Sequence, residues 1–494
     1  MVKKTGIDTD VKIGAKIRRL RREGGMTQAA LAERLGISAS YLNLIEHNKR
    51  KVTVGLLLTL AELFDVDLPS LADNDEGQLF VDIMEVLGDD LFEEIDLTNT
   101  DARELVTSSP NAGRALLLLY DAYLKAQTDV RSLAARSVAD DTEPLYLSAI
   151  APSDQISDMI QESSNYFEDL EVEAERVGYD IGPLEQRNRA TLSTYLKDSL
   201  QINVALAPSG PDFPYLRHYD SERRVLRLSE RLTIGSKRFQ MAQQIGLVQA
   251  RPVIDMLLRE AHIKDSDALV LGRVALANYF AAALLMPYDR FLESAVEARY
   301  DIELLQNRFA AEFEQVCHRL TSLNKPGKTG IPMHMLRVDM AGNVSKRFSL
   351  SGLPIPRHGE ACSRWNVYAA FLRPGTLTAQ MSELPDGARF FCIAKAIQKG
   401  GAINGVDPRY VSIGLGCEGR YASQMVYADG IGLAPNAPAQ PIGVHCRICD
   451  RMDCSHRTRA PIHIRAPIDE HVRGISPFTP AEGPAVRRER LPTR

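Results

Sequence analysis

Apolar residues recur at helical spacing in four stretches near the start of the chain. The first stretch predicts a helix whose apolar stripe is formed by Ile13, Ile17 and Leu20. Two shorter helices and a fourth longer one are predicted after it. Their inward-facing residues are Leu31, Ala32, Leu35, Leu42, Ile45, Leu57, Leu60 and Phe64. The pattern therefore predicts a compact helical module that ends near Leu71.

The two short helices have the features of a helix-turn-helix. Thr27 and Ser38 are placed to cap the first and second helix, and Gly36 supplies the tight turn between them. In this geometry the start of the second helix reads base edges in the major groove, and the start of the first helix meets a phosphate. The candidate DNA-contacting residues are Gln28, Ser38, Ala39, Ser40, Tyr41, Asn43, Lys49 and Arg50.

Charge separates this interpretation from an ordinary helical domain, in which short amphipathic helix pairs are also common. Residues 11–51 hold ten Lys or Arg against three Glu, a net charge of +7 in a chain whose net charge is −5. A surface that faces the phosphates of duplex DNA explains this excess. Residues 11–70 also resemble the Cro/repressor-like (XRE) DNA-binding family, which implies that the chain binds an operator in double-stranded DNA.

The sign of the charge reverses directly after this module. Residues 52–108 carry fifteen Asp or Glu against the single Arg103, so this segment is predicted to be a linker or a partner-facing surface. Residues 110–136 then form a strongly apolar helix, which is either a dimerisation element or an ordinary core helix. We expect a homodimer or a higher homo-oligomer, because one module covers only one groove face.

Two segments in the middle of the chain, FQMAQQIGL at 239–247 and NYFAAALLMP at 278–287, resemble the ImmA/IrrE-like metallopeptidase domain. That family binds zinc with an HExxH helix. Here Gln243, Gln244 and Leu247 stand at the His, Glu and His positions, and no carboxylate precedes Asn278 to act as a third ligand. We therefore expect no peptidase activity, and the former cleft either binds a small ligand or has become core.

The last part of the chain alternates strand-like runs with Gly and Pro, which predicts an α+β domain. The predicted strands include Phe390–Ala394, Val411–Leu415 and Gln424–Tyr427. Cys317 lies on the apolar face of the preceding helix and Cys392 lies inside an apolar strand, so both cysteines are expected to pack as core residues.

Cys446, Cys449 and Cys454 follow a C-x2-C-x4-C spacing that brings three thiolates onto one loop. Such a set supplies three corners of a Zn²⁺ site or of an iron–sulfur cluster. For zinc, His456 or His445 would complete the ligands. For a [4Fe-4S] cluster, the candidate fourth ligands are Cys362 and the alternative Cys417.

Composition limits the remaining possibilities. With 494 residues, 45% of them hydrophobic and 25% charged, the chain is large enough for several domains. No apolar run approaches the ~20 residues that a membrane span needs, and no signal peptide is evident, so we expect a cytoplasmic protein without membrane contact. In that reducing compartment the seven cysteines are poor candidates for disulfides.

The predicted architecture is multidomain: an all-α helix-turn-helix domain, a mainly α middle region and an α+β C-terminal domain. The expected segments are 8–72 (DNA-binding), 73–146 (acidic helical linker or dimerisation region), 147–335 (degenerate ImmA/IrrE-like), 336–473 (cysteine-containing sensor) and 474–494 (disordered tail).

Taken from about residue 11 to 470, the chain resembles the short-chain fatty-acyl regulators of actinobacteria and proteobacteria. The segments FEQVCHRLTSLNKPGKTGIP, GNVSKRFS and GVHCRICDRMDC carry this resemblance. It implies a regulator, not an enzyme, that controls propionate or acetate genes and senses an acyl-CoA. It also favours a [4Fe-4S] cluster over zinc and Cys362 over Cys417. A redox sensor without an acyl ligand, and a peptidase that acts on a repressor, are the rival interpretations.

Overall fold

A computed structural model describes most of the chain. The described residues are 17–18, 21, 26–46, 50, 52, 54–64, 75–92, 99–136, 152–208, 213, 215–356, 361–399, 409–434, 437–461 and 476. Ile13, Leu20, Leu71 and Lys49 lie outside them, so the structure does not test the predictions made for these residues. The chain divides into two compact units, 1–87 with 95–117 and 88–94 with 118–494.

The first unit begins with the helix-turn-helix. Helices α1 (Gln28–Arg34), α2 (Ala39–Glu46) and α3 (Val54–Phe64) follow the predicted order. Thr27 Oγ1 caps α1 by accepting from the Ala30 N–H, and Gly36 adopts φ +65° in the turn, as predicted. Most of the predicted core is confirmed, because the fully or almost fully buried residues are Ile17, Leu31, Ala32, Leu35, Leu42, Ile45 and Leu60. Phe64 is partly buried against them, and the side chain of Leu57 is outside the described part of the chain.

The acidic region is helical. It contains α4 (Asp75–Leu87), α5 (Asn99–Ser108) and α6 (Pro110–Arg136). A glycine lets α4 and α6 approach closely, since a Cβ at Gly113 would lie 2.6 Å from Cδ1 of Ile83. The helix predicted at 110–136 is confirmed as α6.

The second unit continues with a mainly helical region around one small sheet. Helices α7 (Pro152–Glu162), α8 (Glu168–Ile181) and α9 (Arg189–Asp198) precede strands β1 (Asn203–Ala207), β2 (Arg217–Asp220) and β3 (Val225–Ser229). The strand order is β1-β3-β2, with β1 parallel and β2 antiparallel to β3. Six helices follow: α10 (Ile234–Gln249), α11 (Arg251–Glu260), α12 (Ser266–Leu285), α13 (Tyr288–Glu297), α14 (Ile302–Phe309) and α15 (Phe313–Thr321).

Helix α12 is the centre of this region. By length and composition alone, α12 is apolar enough to cross a membrane. This differs from the expectation that no apolar run approaches the length of a membrane span. In the fold its apolar side chains lie in the main core together with residues of α8 and α10. A buried ion pair holds this core to α15, because Arg319 donates to both carboxylate oxygens of Glu171, at 2.6 and 2.9 Å. Tyr279 donates to the same carboxylate at 2.6 Å.

The C-terminal region is built on one sheet, and the predicted multidomain α and α+β class is confirmed. A short hairpin, β4 (Asn324–Lys325) and β5 (Lys328–Thr329), leads into it. The sheet order is β11-β8-β9-β10-β6-β7. Its strands are β6 (Met333–Asp339), β7 (Val344–Ser349), β8 (Thr378–Glu383), β9 (Arg389–Lys399), β10 (Arg409–Glu418) and β11 (Gln440–Pro441), and helix α16 (Asn366–Ala369) packs on it.

Two predictions for this region are wrong in part. The predicted strand Gln424–Tyr427 is 3₁₀-helical, in the segments Gly419–Gln424 and Val426–Ala428. Buried Ala422, Met425 and Ala428 explain the apolar pattern there, because they insert into the core beside the sheet. Ser476, assigned to a disordered tail, is buried and donates to the Arg457 carbonyl at 2.5 Å.

Candidate functional site

Helix α2 presents a short polar surface at its first turns. Ser38 caps the helix, since its Oγ accepts from the Tyr41 N–H at 3.1 Å. Ala39, Ser40 and Asn43 are exposed, as direct base readout requires. Tyr41 is only half-exposed, because its ring also packs on the core of the module.

Gln28 is held differently from the prediction. Its Nε2 donates to Glu46 Oε2 at 2.9 Å and to Asn43 Oδ1 at 3.3 Å, so both N–H groups have protein partners. Glu46 is buried and also accepts from Arg21 at 2.6 and 3.1 Å. Sequence reasoning missed this network, which fixes α1 against α2. A phosphate contact by the Gln28 amide would require one of these bonds to break, whereas Arg50 is exposed and unhindered by them.

Neutral amides stand at two of the three expected HExxH positions. Gln243 and Gln244 are buried on α10, at 5% and 2% exposure. Gln243 Nε2 donates to Asn278 Oδ1 at 2.8 Å, and Gln244 accepts a hydrogen bond from Arg217. Leu247 packs against the core. The two glutamines at the expected His and Glu positions are therefore bonded to α12 and to β2.

The structure brings Cys362 to the three cysteines of the C-x2-C-x4-C loop. Cys362, Cys446, Cys449 and Cys454 line one pocket, and His445 and His456 line it too. Cys417 is elsewhere, because it is fully buried on β10 with its Sγ 3.7 Å from the sulfur of Met425. Among the described residues, the structure thus gathers Cys362 and not Cys417 with the loop.

A buried arginine holds the cysteine loop in shape. Arg457 is 3% exposed and donates to the carbonyls of Cys446 at 2.6 Å and Cys449 at 2.8 Å. Trp365 fastens the loop to the domain by donating to the Gly443 carbonyl at 2.9 Å. These two hydrogen bonds clamp the backbone of the loop.

The sulfur atoms themselves receive hydrogen bonds or close contacts. The Gly443 N–H donates to Cys362 Sγ at 3.4 Å, and Arg364 reaches Cys454 Sγ at 3.9 Å. Burial raises the pKa of Cys362, and the nearby thiols of Cys446 and Cys454 raise it further. Burial and neighbouring cysteines act in the same direction on the pKa of Cys449. A cationic metal centre would reverse this balance, because it stabilises thiolates.

The donor set fits an iron–sulfur cluster. Gly443 leaves room beside the thiols, since a Cβ there would lie 2.7 Å from Cys449 Sγ. Within the described part of the chain, no three Cys, His, Asp or Glu side chains are close enough together to hold a single metal ion. Around one zinc ion with Zn–S bonds of ~2.3 Å, the sulfurs would nearly touch. Four thiols that line one pocket are the donor set that a [4Fe-4S] cluster uses.

Family models match three segments of the chain, of which the second and third are adjacent. Residues 17–71 match a helix-turn-helix model, residues 197–321 an IrrE N-terminal-like domain, and residues 322–478 the C-terminal domain of short-chain fatty acyl coenzyme A regulators. The last of these contains all the residues of the cysteine pocket.

Relatives match over almost the whole chain. A propionyl-CoA carboxylase regulator of Cereibacter sphaeroides is 35% identical over 94% of this chain and 98% of its own. The transcriptional regulators PrpR and RamB of Mycobacterium tuberculosis are 33% and 32% identical, with at least 94% of this chain covered. A solved structure of a Mycobacterium tuberculosis transcriptional regulator superposes with a TM-score of 0.63 and 34% identity, covering 67% of this chain and 99% of its own.

The helix-turn-helix and the similarity along the whole chain agree. This chain belongs to the short-chain fatty acyl coenzyme A regulator family, and it is a DNA-binding transcriptional regulator.

Proposed function

We propose that this regulator controls genes of short-chain fatty acid metabolism, propionate or acetate assimilation, in response to an acyl-CoA. The observation that carries the proposal is the 35% identity to a propionyl-CoA carboxylase regulator, which extends over 94% of the chain. The similarity thus includes the C-terminal domain as well as the DNA-binding module. Since such a regulator acts on chromosomal DNA, the proposal includes a cytoplasmic location.

The proposed DNA-binding form is a homodimer that presents two α2 helices to two half-sites. Ala39, Ser40 and Asn43 would read bases, with Arg50 on a phosphate. Helix α6 supports dimerisation because Leu118 and Leu119 are 50% and 69% exposed, an apolar surface that a second copy could cover.

The acyl-CoA can regulate operator binding only if it binds two arrangements of the protein with different affinity. A coupling free energy of ~1–3 kcal/mol between the two ligands would change operator affinity about 5- to 150-fold. The proposal therefore predicts a measurable shift of the operator titration curve when propionyl-CoA is added.

We further propose that Cys362, Cys446, Cys449 and Cys454 hold a [4Fe-4S] cluster. The four thiols line one pocket, and Arg364 and the Gly443 N–H contact two of the sulfurs. When bound, the cluster would cross-link the loop to the domain and supply a redox-active centre. Zn²⁺ is the alternative occupant, with His445 or His456 as the fourth ligand.

The test is anaerobic purification followed by operator titration with and without acyl-CoAs of increasing chain length. We expect iron and sulfide in the protein, and a change in operator affinity with a short-chain acyl-CoA. A protein whose operator affinity is the same with every acyl-CoA, but falls on exposure to oxygen, would be the alternative redox sensor. That second candidate is supported by the partial exposure of Cys446, Cys449 and Cys454.

A further inference from the structure

A buried carboxylate of helix α15 is surrounded by more cations than its single negative charge requires. Glu314 is in the first turn of this helix and 7% exposed. Arg337 on β6 donates to its Oε1 at 3.0 Å, and Lys346 on β7 lies 3.4 Å from the same oxygen. Lys399 at the end of β9 bonds to Oε2. We call Glu314, His318, Arg337, Lys346 and Lys399 the Glu314 cluster.

The Glu314 cluster has a formal charge of +2. His318 contributes none, because burial and the nearby Lys346 lower its pKa to about 4, and its Nε2 accepts from Lys346 Nζ at 3.0 Å. Among the described residues, Arg337, Lys346 and Lys399 pair with no carboxylate other than Glu314.

Neutralising Glu314 does not account for three cations. One lysine or arginine would balance the charge, and the helix N-terminus already favours a carboxylate at this position. The surplus carries a cost, since Arg337 and Lys399 both lower the pKa of Lys346 by repulsion, in addition to its burial. Arrangements that reduce stability without a structural gain are expected at functional sites.

The shape of the cluster suits an anion that arrives from solvent. The side chain of Glu314 is 9% exposed and forms the floor, whereas those of Lys346 and Lys399 are 41% and 38% exposed and form the rim. A ligand oxygen could therefore reach the two ammonium groups without displacing the carboxylate from Arg337.

We propose that the Glu314 cluster binds a phosphate group of the acyl-CoA effector, at its nucleotide end. A phosphate monoester carries a charge of about −1.5 to −2 at neutral pH, which matches the surplus of the cluster. Lysine and arginine are the side chains that bind phosphate most strongly. This inference rests on the proposed function. It assigns the phosphate end of the ligand to residues that are separate from those of the cysteine pocket.

The test uses the full-length protein and the variant Lys399→Gln. Glu314 keeps Arg337 and Lys346 as partners in this variant, so the fold should be retained. Lys328→Gln is the matched control, because Lys328 is 44% exposed and pairs with the single carboxylate of Asp289. Calorimetry at fixed ionic strength would compare propionyl-CoA, its 3′-dephospho form and propionyl-pantetheine, and Lys346→Gln serves as a second variant.

We expect Lys399→Gln to bind propionyl-CoA about tenfold more weakly, the loss of one charge-assisted hydrogen bond. Propionyl-pantetheine, which lacks the nucleotide, should bind the variant and the parent equally. A variant effect that disappears with the dephospho form would identify the 3′-phosphate, and one that persists would identify the pyrophosphate.

Unchanged propionyl-CoA affinity in both lysine variants would overturn the inference. So would a loss of operator affinity alone, since the phosphate would then belong to DNA. If no acyl-CoA binds the parent protein, the proposed function fails. In that case adenosine 3′,5′-bisphosphate tests the cluster by itself: binding that Lys399→Gln weakens supports a phosphate site, and no binding refutes it.

Discussion

The former peptidase cleft and the cysteine pocket treat their polar side chains in opposite ways. In the cleft, Gln243 bonds to Asn278 and Gln244 bonds to Arg217, so both glutamine amides already have protein partners. In the cysteine pocket, four thiols face a common space, and backbone clamps such as Arg457 hold the loop around it. The two amides at the expected HExxH positions are thus occupied by partners from other elements, whereas the four thiols share one space that a common ligand could fill.

Removing one thiol should have the largest effect. We expect Cys449→Ser to lose its iron and sulfide, because a hydroxyl is a much poorer ligand than a thiolate and Cys449 is enclosed by the loop. Metal analysis and the visible absorption spectrum of anaerobically purified protein measure this loss.

The matched control for this change is Cys417→Ala on β10. Its thiol contacts Met425 and does not line the cysteine pocket, so metal content should stay unchanged and only a small loss of stability should follow. If Cys417→Ala bleached the protein and Cys449→Ser did not, the cluster would have different ligands from those proposed.

Acid should destabilise the C-terminal domain through His334, a buried imidazole that has a protein hydrogen-bond partner, as the glutamines of the cleft do. His334 is 1% exposed, with Nδ1 2.7 Å from Ser351 Oγ, and burial lowers its pKa from 6.5 to about 3. Below pH 6.5, His334 therefore binds a proton in the unfolded chain but stays neutral in the folded protein. Stability should fall by roughly 2 kcal/mol between pH 7 and pH 5, and further toward pH 3.

Urea unfolding across this pH range measures the effect, and His334→Gln should flatten the dependence by about the same amount. A substitution that left the slope unchanged would show that the pKa of His334 is about the same in the folded protein as in the unfolded chain.

The sequence was most informative where a pattern repeats locally. The caps Thr27 and Ser38 and the turn at Gly36 depend on neighbouring residues, so their roles could be predicted. The grouping of Cys446, Cys449 and Cys454 on one loop could likewise be predicted from their spacing. The approach of Cys362 was not, since it depends on how distant segments meet: its N–H donates to the Val444 carbonyl across 82 residues of sequence.

Partners that are far apart in sequence account for most of what the sequence left open. His318 bonds to Lys346 and Arg319 bonds to Glu171, and neither partner could be identified from the sequence because each comes from a distant element. The apolar pattern around Met425 predicts a strand, but a 3₁₀ segment that inserts apolar residues into a core shows the same short repeats. Such outcomes are decided by tertiary packing.

In the cleft, removing an amide should have a moderate effect. Gln244→Leu leaves the Arg217 guanidinium without its partner in a partly buried site, where burial already lowers the pKa of Arg217. We expect a loss of about 1–2 kcal/mol in the free energy of unfolding. Gln244→Glu, which supplies a carboxylate to the same guanidinium, should be at least as stable as the parent, and thermal unfolding distinguishes the two.

Restoring the peptidase motif should have the smallest effect of all. The triple variant Gln243→His, Gln244→Glu, Leu247→His recreates HExxH on α10, yet catalytic zinc sites need three protein ligands and an open position. The turn of α12 ahead of Asn278 offers Arg273, which is bound to Asp255 at 2.8 Å, and no free carboxylate among the described residues. We expect no zinc-dependent cleavage of a peptide library and unchanged operator affinity. Zinc-dependent hydrolysis by this variant, absent in a Gln243→His single variant, would show that the cleft had lost only its ligands and not its catalytic geometry.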